Sequence, residues 1–137
     1  MSLLVIDACL ALGLVLPDEQ EVAAMAVLAK LEADVPAVVP AHWIVEVTNG
    51  ILMAERRGRL TQAQAAAALQ LLTALPIETD LETGSRMTGD VMALARQFKL
   101  TAYDAAYLEL AMRLGAKLGT TDRALVKAAK KVGVPIA

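Results

Sequence analysis

The sequence predicts an α/β protein with three layers, in which helices cover both faces of a central parallel sheet of four to five strands. Short apolar runs rich in Val and Ile recur along the chain, and such runs are typical of strands buried on both faces. Longer segments with apolar residues at helical spacing separate these runs. Because parallel strands need a crossover connection, usually a helix, this alternation predicts a parallel sheet. The 137 residues suit one domain that spans residues 1–137.

Five segments are predicted as strands. The first is a run of four apolar residues that ends in Asp7. The last contains Pro135, which a sheet tolerates only at its edge. The predicted strands cover residues 3–7, 35–39, 77–79, 116–119 and 134–136.

Seven segments are predicted as helices. Pro17 ends the first of them, because proline cannot continue a helix. Thr61 is a candidate N-cap of the fourth, and Gly115 is placed to end the sixth. Gly84 and Gly89 lower the helical propensity of the fifth in its first half. The predicted helices cover residues 8–16, 19–31, 42–57, 60–75, 82–98, 101–114 and 122–131.

The composition excludes several classes of protein. Hydrophobic residues make up 57% and charged residues 20%, which is typical of a packed globule and not of a disordered chain. The net charge of −2 argues against a protein that coats nucleic acid through bulk positive charge, although an enzyme with a local basic rim stays possible. The apolar fraction exceeds the usual ~45–50%, which favours a surface covered by a partner or a second copy.

Several features predict a cytoplasmic protein. Cys9 is the single cysteine, so no internal disulfide is expected. The N-terminus lacks the basic region of a signal peptide, and Asp7 interrupts its early apolar run. The uncharged stretch over residues 60–77 contains glutamines and Pro76, so it is predicted as a soluble amphipathic helix and not as a membrane span.

Two aspartates follow predicted strands. Asp7 ends the first strand, and Asp122 follows the strand over residues 116–119. The carboxyl ends of parallel strands share one edge of the sheet, where open α/β folds bind their ligands. The two aspartates should therefore be neighbours if their strands are adjacent. Each could equally be the N-cap of the helix that follows it, and both interpretations stay open.

Glu46 lies more than one turn into the predicted helix over residues 42–57, so it cannot be a cap. At helical spacing its neighbours include Trp43 and Gly50, which mark a packed face. Burying an isolated carboxylate costs several kcal/mol unless a cation pairs with it. No Lys or Arg lies one turn away, so the expected partner is a metal ion or an arginine from elsewhere in the fold.

A fourth acid, Asp104, occupies the third position of a predicted helix whose N-cap is Thr101, as in a capping box. Taken together, the four acids recur at one sheet edge and on one helix face. Packed carboxylates repel each other and need a cation to stay ionised. A site of oxygen ligands suits Mg²⁺ or Mn²⁺, and His42 is not counted among the ligands. The predicted metal ligands are Asp7, Glu46, Asp104 and Asp122.

Four motifs carry a resemblance to a known family. They are Val-Ile-Asp-Ala at residues 5–8, Trp-Ile-Val-Glu-Val-Thr-Asn at 43–49, Leu-Thr-Ala-Tyr-Asp-Ala-Ala-Tyr at 100–107 and Thr-Thr-Asp-Arg-Ala-Leu at 120–125. None is specific alone, but their order over essentially the whole chain resembles a PIN-domain protein. More narrowly, the chain is similar to the toxins of bacterial and archaeal VapBC toxin–antitoxin pairs.

The resemblance implies a PIN-like fold and a ribonuclease that depends on Mg²⁺ or Mn²⁺ and hydrolyses RNA phosphodiesters with a metal-activated water, leaving 5′-phosphate and 3′-hydroxyl ends. It implies that Asp7, Glu46 and Asp104 are direct or water-mediated metal ligands. The resemblance also implies that Asp122 binds a second ion or orients water, and that the Thr120 hydroxyl hydrogen-bonds to a metal ligand or to a bound water. The four acids are then also the catalytic residues. The family usually has Ser, Asn or Thr at the position of Cys9, which is a poorer hydrogen bonder.

The resemblance also implies partners: an RNA substrate, a cognate antitoxin protein and a second copy in a homodimer, with no membrane. Aromatic residues make up only 3%, so RNA is expected to be recognised by shape and not by stacked bases. Four basic residues are candidates for phosphate contacts. They are Arg56, Arg57, Lys99 and Arg123.

Three other kinds of protein could carry acids in this pattern. A phosphoacceptor signalling domain needs adjacent acids early in the chain, and Asp7 has no acidic neighbour in sequence. A haloacid-dehalogenase-type phosphatase needs a second aspartate where Cys9 stands. A catalytically inactive PIN-like scaffold that binds RNA or protein has no need to hold unpaired carboxylates, and loss of metal-dependent cleavage in Asp7→Asn separates it from an enzyme.

Overall fold

The computed structural model describes residues 3–18 and 22–137 and contains a parallel sheet of four strands. The strands lie in the order β3-β2-β1-β4, so β1 is central. Within the described residues, Ile136 adds only a single parallel bridge to Leu118 of β4 where an edge strand was predicted. The predicted architecture is confirmed. The strands are β1 (Leu4–Ile6), β2 (Ala37–Val39), β3 (Ile77–Thr79) and β4 (Lys117–Gly119).

Helices connect the strands and lie close to their predicted positions. The part of the helix predicted to start at residue 19 that precedes Val22 lies outside the described residues. The helices are α1 (Ala8–Val15), α2 (Val22–Glu32), α3 (Trp43–Arg56), α4 (Gln62–Ala74), α5 (Thr83–Arg86), α6 (Met92–Phe98), α7 (Ala102–Leu114) and α8 (Arg123–Lys131).

The single regular helix predicted over residues 82–98 is wrong in its first half. A π-helical turn over Met87–Val91 separates α5 from α6. Gly89 lies inside this turn, and glycine weakens the regular helical hydrogen-bond ladder. The backbone therefore widens where the propensity is lowest.

Local sequence signals account for several helix ends. Thr61 and Gln64 form a complete capping box at the start of α4. Gly115 adopts the left-handed conformation (φ 64°) that ends α7, as predicted. No helix among the described residues is long and apolar enough to cross a membrane.

The core forms around β1, whose residues Leu4, Val5 and Ile6 are 1%, 0% and 1% exposed. A strand buried this completely needs helices on both faces, which explains its uninterrupted apolar run. On one side, α1 and α3 approach closely at Gly50, where a Cβ atom would lie 2.5 Å from a methyl group of Leu12. The carboxyl end of β1 is thereby held rigidly where Asp7 begins.

Candidate active site

Asp7 and Asp122 are neighbours at the carboxyl edge of the sheet, as predicted for adjacent strands. Strands β1 and β4 pair in parallel, and the Asp7 amide donates to the Gly119 carbonyl oxygen at 3.0 Å. The buried hydroxyl of Thr120 donates to Asp7 Oδ2 and accepts from the Asp122 amide at 3.0 Å. One hydroxyl group therefore links the two acids.

Both aspartates are helix N-caps, so the N-cap interpretation of each is confirmed. Asp7 Oδ1 accepts from the Leu10 amide at 2.8 Å, and Asp122 Oδ1 accepts from the Leu125 amide at 2.9 Å. Each ionised carboxylate has about four acceptor positions, so capping leaves room for a cation. The caps fix the direction in which each carboxylate points.

Asp7 is the most buried of the four acids, with 3% of its surface exposed. Burial and, to a smaller extent, the charges of Asp104 and Asp122 raise its pKa to about 6, although the hydrogen bonds from Thr120 and Leu10 act in the opposite direction. Among the described residues, no Lys, Arg or His forms an ion pair with Asp7. This carboxyl group therefore lacks the positive charge that would stabilise its ionised form.

Asp104 is held at the start of α7. Its amide donates to the Thr101 hydroxyl at 3.1 Å. The return bond of a full capping box is not found among the described residues, so only half of the predicted box forms. Burial raises the pKa of Asp104, and the charges of Asp122 and Glu46 raise it further. Asp104 therefore lies within electrostatic reach of the other acids.

Glu46 is less buried than predicted, since its side chain is 34% exposed. The Tyr107 hydroxyl donates to Glu46 Oε1 at 2.8 Å, and His42 Nε2 lies 3.3 Å from the same oxygen. Within the described residues no arginine contacts Glu46. The expected packed face is confirmed at Trp43, which is 5% exposed, but Glu46 is only partly covered, by the contact with Tyr107 of α7.

Sequence reasoning missed the residues that hold Glu46. His42 Nε2 lies 3.1 Å from the Tyr103 carbonyl oxygen, and since a carbonyl only accepts, this nitrogen carries a proton. The His42 ring packs edge-on against Tyr107, with centroids 5.0 Å apart. Burial raises the pKa of Tyr107, so its hydroxyl stays protonated and donates. The sequence signals were the four-residue spacing of His42 and Glu46 and the three-residue spacing of Asp104 and Tyr107.

Cys9 lies close to all four acids. Burial and the charges of Asp7, Asp122, Asp104 and Glu46 together raise the pKa of its thiol to about 11. In the metal-free protein the thiol is therefore protonated at neutral pH.

The donor set fits a hard divalent cation. The acids act on one another electrostatically, and the buried carboxyl of Asp7 has no cationic partner among the described residues; carboxylate oxygens are the ligands that suit Mg²⁺ or Mn²⁺. Within the same part of the chain, however, no three His, Cys, Asp or Glu side chains form a group arranged to hold a metal ion. The assignment of the four acids as ligands stays a prediction.

Comparison with proteins of known sequence supports the same family. The PIN-domain family model matches residues 4–131. Ribonuclease VapC3 of Pyrobaculum aerophilum is 31% identical over 124 residues, which cover 90% of this chain and 92% of that protein. Ribonuclease VapC3 of Mycobacterium tuberculosis is 38% identical over 89 residues, which cover 65% of this chain and 62% of that protein.

Solved structures share the fold. The crystal structure of PAE2754 from Pyrobaculum aerophilum has a TM-score of 0.68 at 24% identity and covers 93% of this chain and 84% of its own. VapC20 of Mycobacterium tuberculosis, a toxin that cleaves the sarcin–ricin loop, has a TM-score of 0.63 at 16% identity and covers 91% of this chain and 94% of its own. Because the family model spans nearly the whole chain and a VapC relative aligns over 90% of it, the chain belongs to the PIN-domain family, and its sequence relatives within that family are VapC proteins.

Proposed function

We propose that this protein is an endoribonuclease that depends on Mg²⁺ or Mn²⁺ and is the toxin of a type II toxin–antitoxin pair in the cytoplasm. The observation that carries the proposal is the buried carboxyl of Asp7. Its pKa is raised to about 6, two further aspartates add negative charge, and no cation pairs with it among the described residues. The names of the sequence relatives support RNA as the substrate.

The four acids would hold the metal, each from its own element. Asp7 extends from β1, Glu46 from α3 and Asp104 from α7, and Asp122 precedes α8. When bound, a divalent ion supplies positive charge for the phosphate oxygens and activates water for attack on phosphorus.

The chain's own residues set the positions of these carboxylates. Thr120 fixes Asp7 and the backbone of Asp122 together. Tyr107 and His42 contact the same oxygen of Glu46, so the second oxygen of that carboxylate is left for a metal ion. The N-cap bonds of Asp7 and Asp122 restrict their rotation. Such supporting contacts are the usual means by which a protein presets metal ligands.

As a toxin, the protein would bind a cognate antitoxin, and we also propose that two copies form a homodimer. Exposed apolar side chains on α3 favour a covered surface there, since isolated proteins expose few large apolar groups in one place. They are Ile44, Val45 and Leu52.

A catalytically inactive PIN-like scaffold is the second candidate. It is favoured by one observation: within the described part of the chain, the acids do not form a group arranged to hold a metal ion. Such a scaffold would bind RNA or protein and would not cleave.

The test is cleavage of a structured RNA by the purified protein with Mg²⁺ or Mn²⁺ and with EDTA. We expect the parent protein to cleave the RNA when Mg²⁺ or Mn²⁺ is present and not in EDTA. The variants Asp7→Asn and Glu46→Gln should stay folded and lose cleavage. Asp34→Asn is the matched control, because Asp34 is exposed and its φ of 62° suits asparagine. Binding of RNA without cleavage under every metal condition would favour the scaffold. If the Glu46→Gln variant unfolds, Glu46 is a structural residue and not a metal ligand.

A further inference from the structure

A groove lined by three lysines is formed by α8 and the end of α6. Its volume is about 430 Å³, and its apolar floor includes Phe98, Ala124 and Ala128. Its charged walls are Lys99 from the segment after α6 and Lys127 and Lys131 from α8, and these three lysines define the basic groove. None of the four acids lines it.

The charges in the basic groove are not neutralised by the protein. Lys99, Lys127 and Lys131 are exposed, and none has an ion-pair partner among the described residues. By contrast, Arg113 and Arg86 are each paired with acids of the same chain. In a chain of net charge −2, three unpaired lysines in one groove form a local positive field.

Lys99 adopts a backbone conformation that a lysine rarely takes. Its φ is 54° and its ψ is 43°, the left-handed region, where it ends α6. Glycine is the usual residue at such a position because it has no Cβ to clash. A lysine here makes the backbone less favourable, and its side chain lines the groove.

Two elements that contribute to the groove also lead to acids of the proposed site, since Asp122 is the N-cap of α8. Ala124 stands two residues after Asp122, and Lys127 and Lys131 follow on α8 about 7.5 and 13.5 Å along the helix axis from Asp122. Lys99 stands five residues before Asp104. Along α8, the two lysines therefore lie successively further from Asp122.

We propose that the basic groove binds the phosphodiester backbone of the RNA substrate on one side of the cut. This inference rests on the proposed function. Lysine ammonium groups bind phosphates as point charges and read no base. Because the groove presents lysines and no stacked pair of aromatic rings, it recognises the path of the backbone and not its sequence.

The test compares two triple variants of equal charge. The first, Lys99→Gln with Lys127→Gln and Lys131→Gln, empties the groove of charge. The second is the control and removes three lysines outside the groove, by Lys30→Gln, Lys117→Gln and Lys130→Gln. Binding of a labelled RNA hairpin is measured in EDTA across a series of KCl concentrations, with Asp7→Asn in both proteins. Cleavage is measured in the same triples without Asp7→Asn.

We expect the groove triple to have a KM about tenfold higher than the parent protein, with kcat within about twofold. The salt slope of its RNA binding should fall by about 2, because each lost phosphate contact lowers that slope by ~0.7–0.9. The control triple should change both far less. Lys99→Gly should raise the melting temperature and still weaken RNA binding, which a merely structural role of Lys99 would not produce.

The proposal is overturned if the two triple variants have equal KM values and equal salt slopes, or if the Asp7→Asn protein does not bind RNA. It is also overturned if polyglutamate displaces the RNA while the KM of the groove triple equals that of the parent protein. That last result would identify a surface for an acidic protein. Failure of the proposed function is distinguishable, because the protein would then bind RNA through the groove and cleave none with either metal.

Discussion

At Asp7, burial and negative charge act on one carboxyl group. Its pKa in the folded protein, about 6, lies above the ordinary value of 3.8. Below pH 4 both the folded and the unfolded chain are protonated here. Between pH 4 and 6 the folded state alone keeps the proton, so stability falls as the pH rises. Above pH 6 the metal-free protein carries the full cost, which is about 3 kcal/mol for two pKa units.

Asp7→Asn is therefore expected to stabilise the metal-free protein at pH 8, by about 1–3 kcal/mol, while it abolishes cleavage. Asparagine can still accept from the Leu10 amide, and its amide group can donate to Thr120. The measurement is urea denaturation in EDTA at pH 4 and pH 8, where the gain should appear only at the higher pH. A loss of stability equal at both values would show that the ionised Asp7 is already compensated.

Tyr107 illustrates support of a site by a buried hydroxyl. Tyr107→Phe keeps the ring and removes the donor to Glu46. We expect an unchanged fold and about tenfold weaker binding of Mn²⁺, as is usual when a supporting contact of a ligand is removed. Tyr103→Phe, at an exposed tyrosine of the same helix, is the control. Isothermal titration with Mn²⁺ measures both, and equal affinities in the two variants would make Tyr107 a packing residue only.

At the scale of single elements, α7 connects the acid site to the far edge of the sheet. Its residue Arg113 donates to Asp80, just after β3, at 2.7 Å and to Glu109 at 2.8 Å. Arg113 lowers the pKa of Asp80, so the pair stabilises the fold above the ordinary pKa of an aspartate and ceases to do so as the pH falls through the lowered value.

Arg113→Met should destabilise the protein by about 3 kcal/mol at pH 7, because it leaves two largely buried carboxylates unpaired. The loss should shrink near pH 3, as the pH approaches the lowered pKa of Asp80 and that carboxyl gains a proton. Arg86→Met removes more exposed ion pairs and should cost under about 1 kcal/mol. Thermal unfolding at both pH values measures these differences. A similar loss in both variants would mean that the burial of Asp80 and Glu109 does not change the free energy of unfolding.

The sequence was sufficient for most elements and insufficient for contacts between them. The apolar run before Asp7 identified β1 because a strand buried on both faces needs no polar alternation. The position of Glu46 on a helix followed from periodicity, but its exposure depends on which element covers it, and no periodicity encodes that. The bond from Tyr107 to Glu46 joins residues 61 positions apart, which a single sequence does not reveal.

At the scale of the whole molecule, the four acids come from four elements that meet only in the folded chain, so metal binding and folding should be coupled. Mg²⁺ or Mn²⁺ is expected to raise the melting temperature of the parent protein. At a free ion concentration one hundred times Kd the gain is about 2.7 kcal/mol. In the double variant Asp7→Asn with Asp104→Asn the shift should vanish. Equal shifts in both proteins would place the ion elsewhere.

The outer side of β4 is covered by the residues around Ile136 rather than by a full strand. The Leu118 amide donates to the Pro135 carbonyl oxygen at 2.8 Å, and the Ala137 amide donates to the Leu118 carbonyl oxygen at 3.0 Å. These two bonds satisfy backbone groups that would otherwise template the addition of a foreign strand. Loss of residues 135–137 would thus expose a seam for self-association directly behind Thr120, and would loosen the segment that carries Asp122.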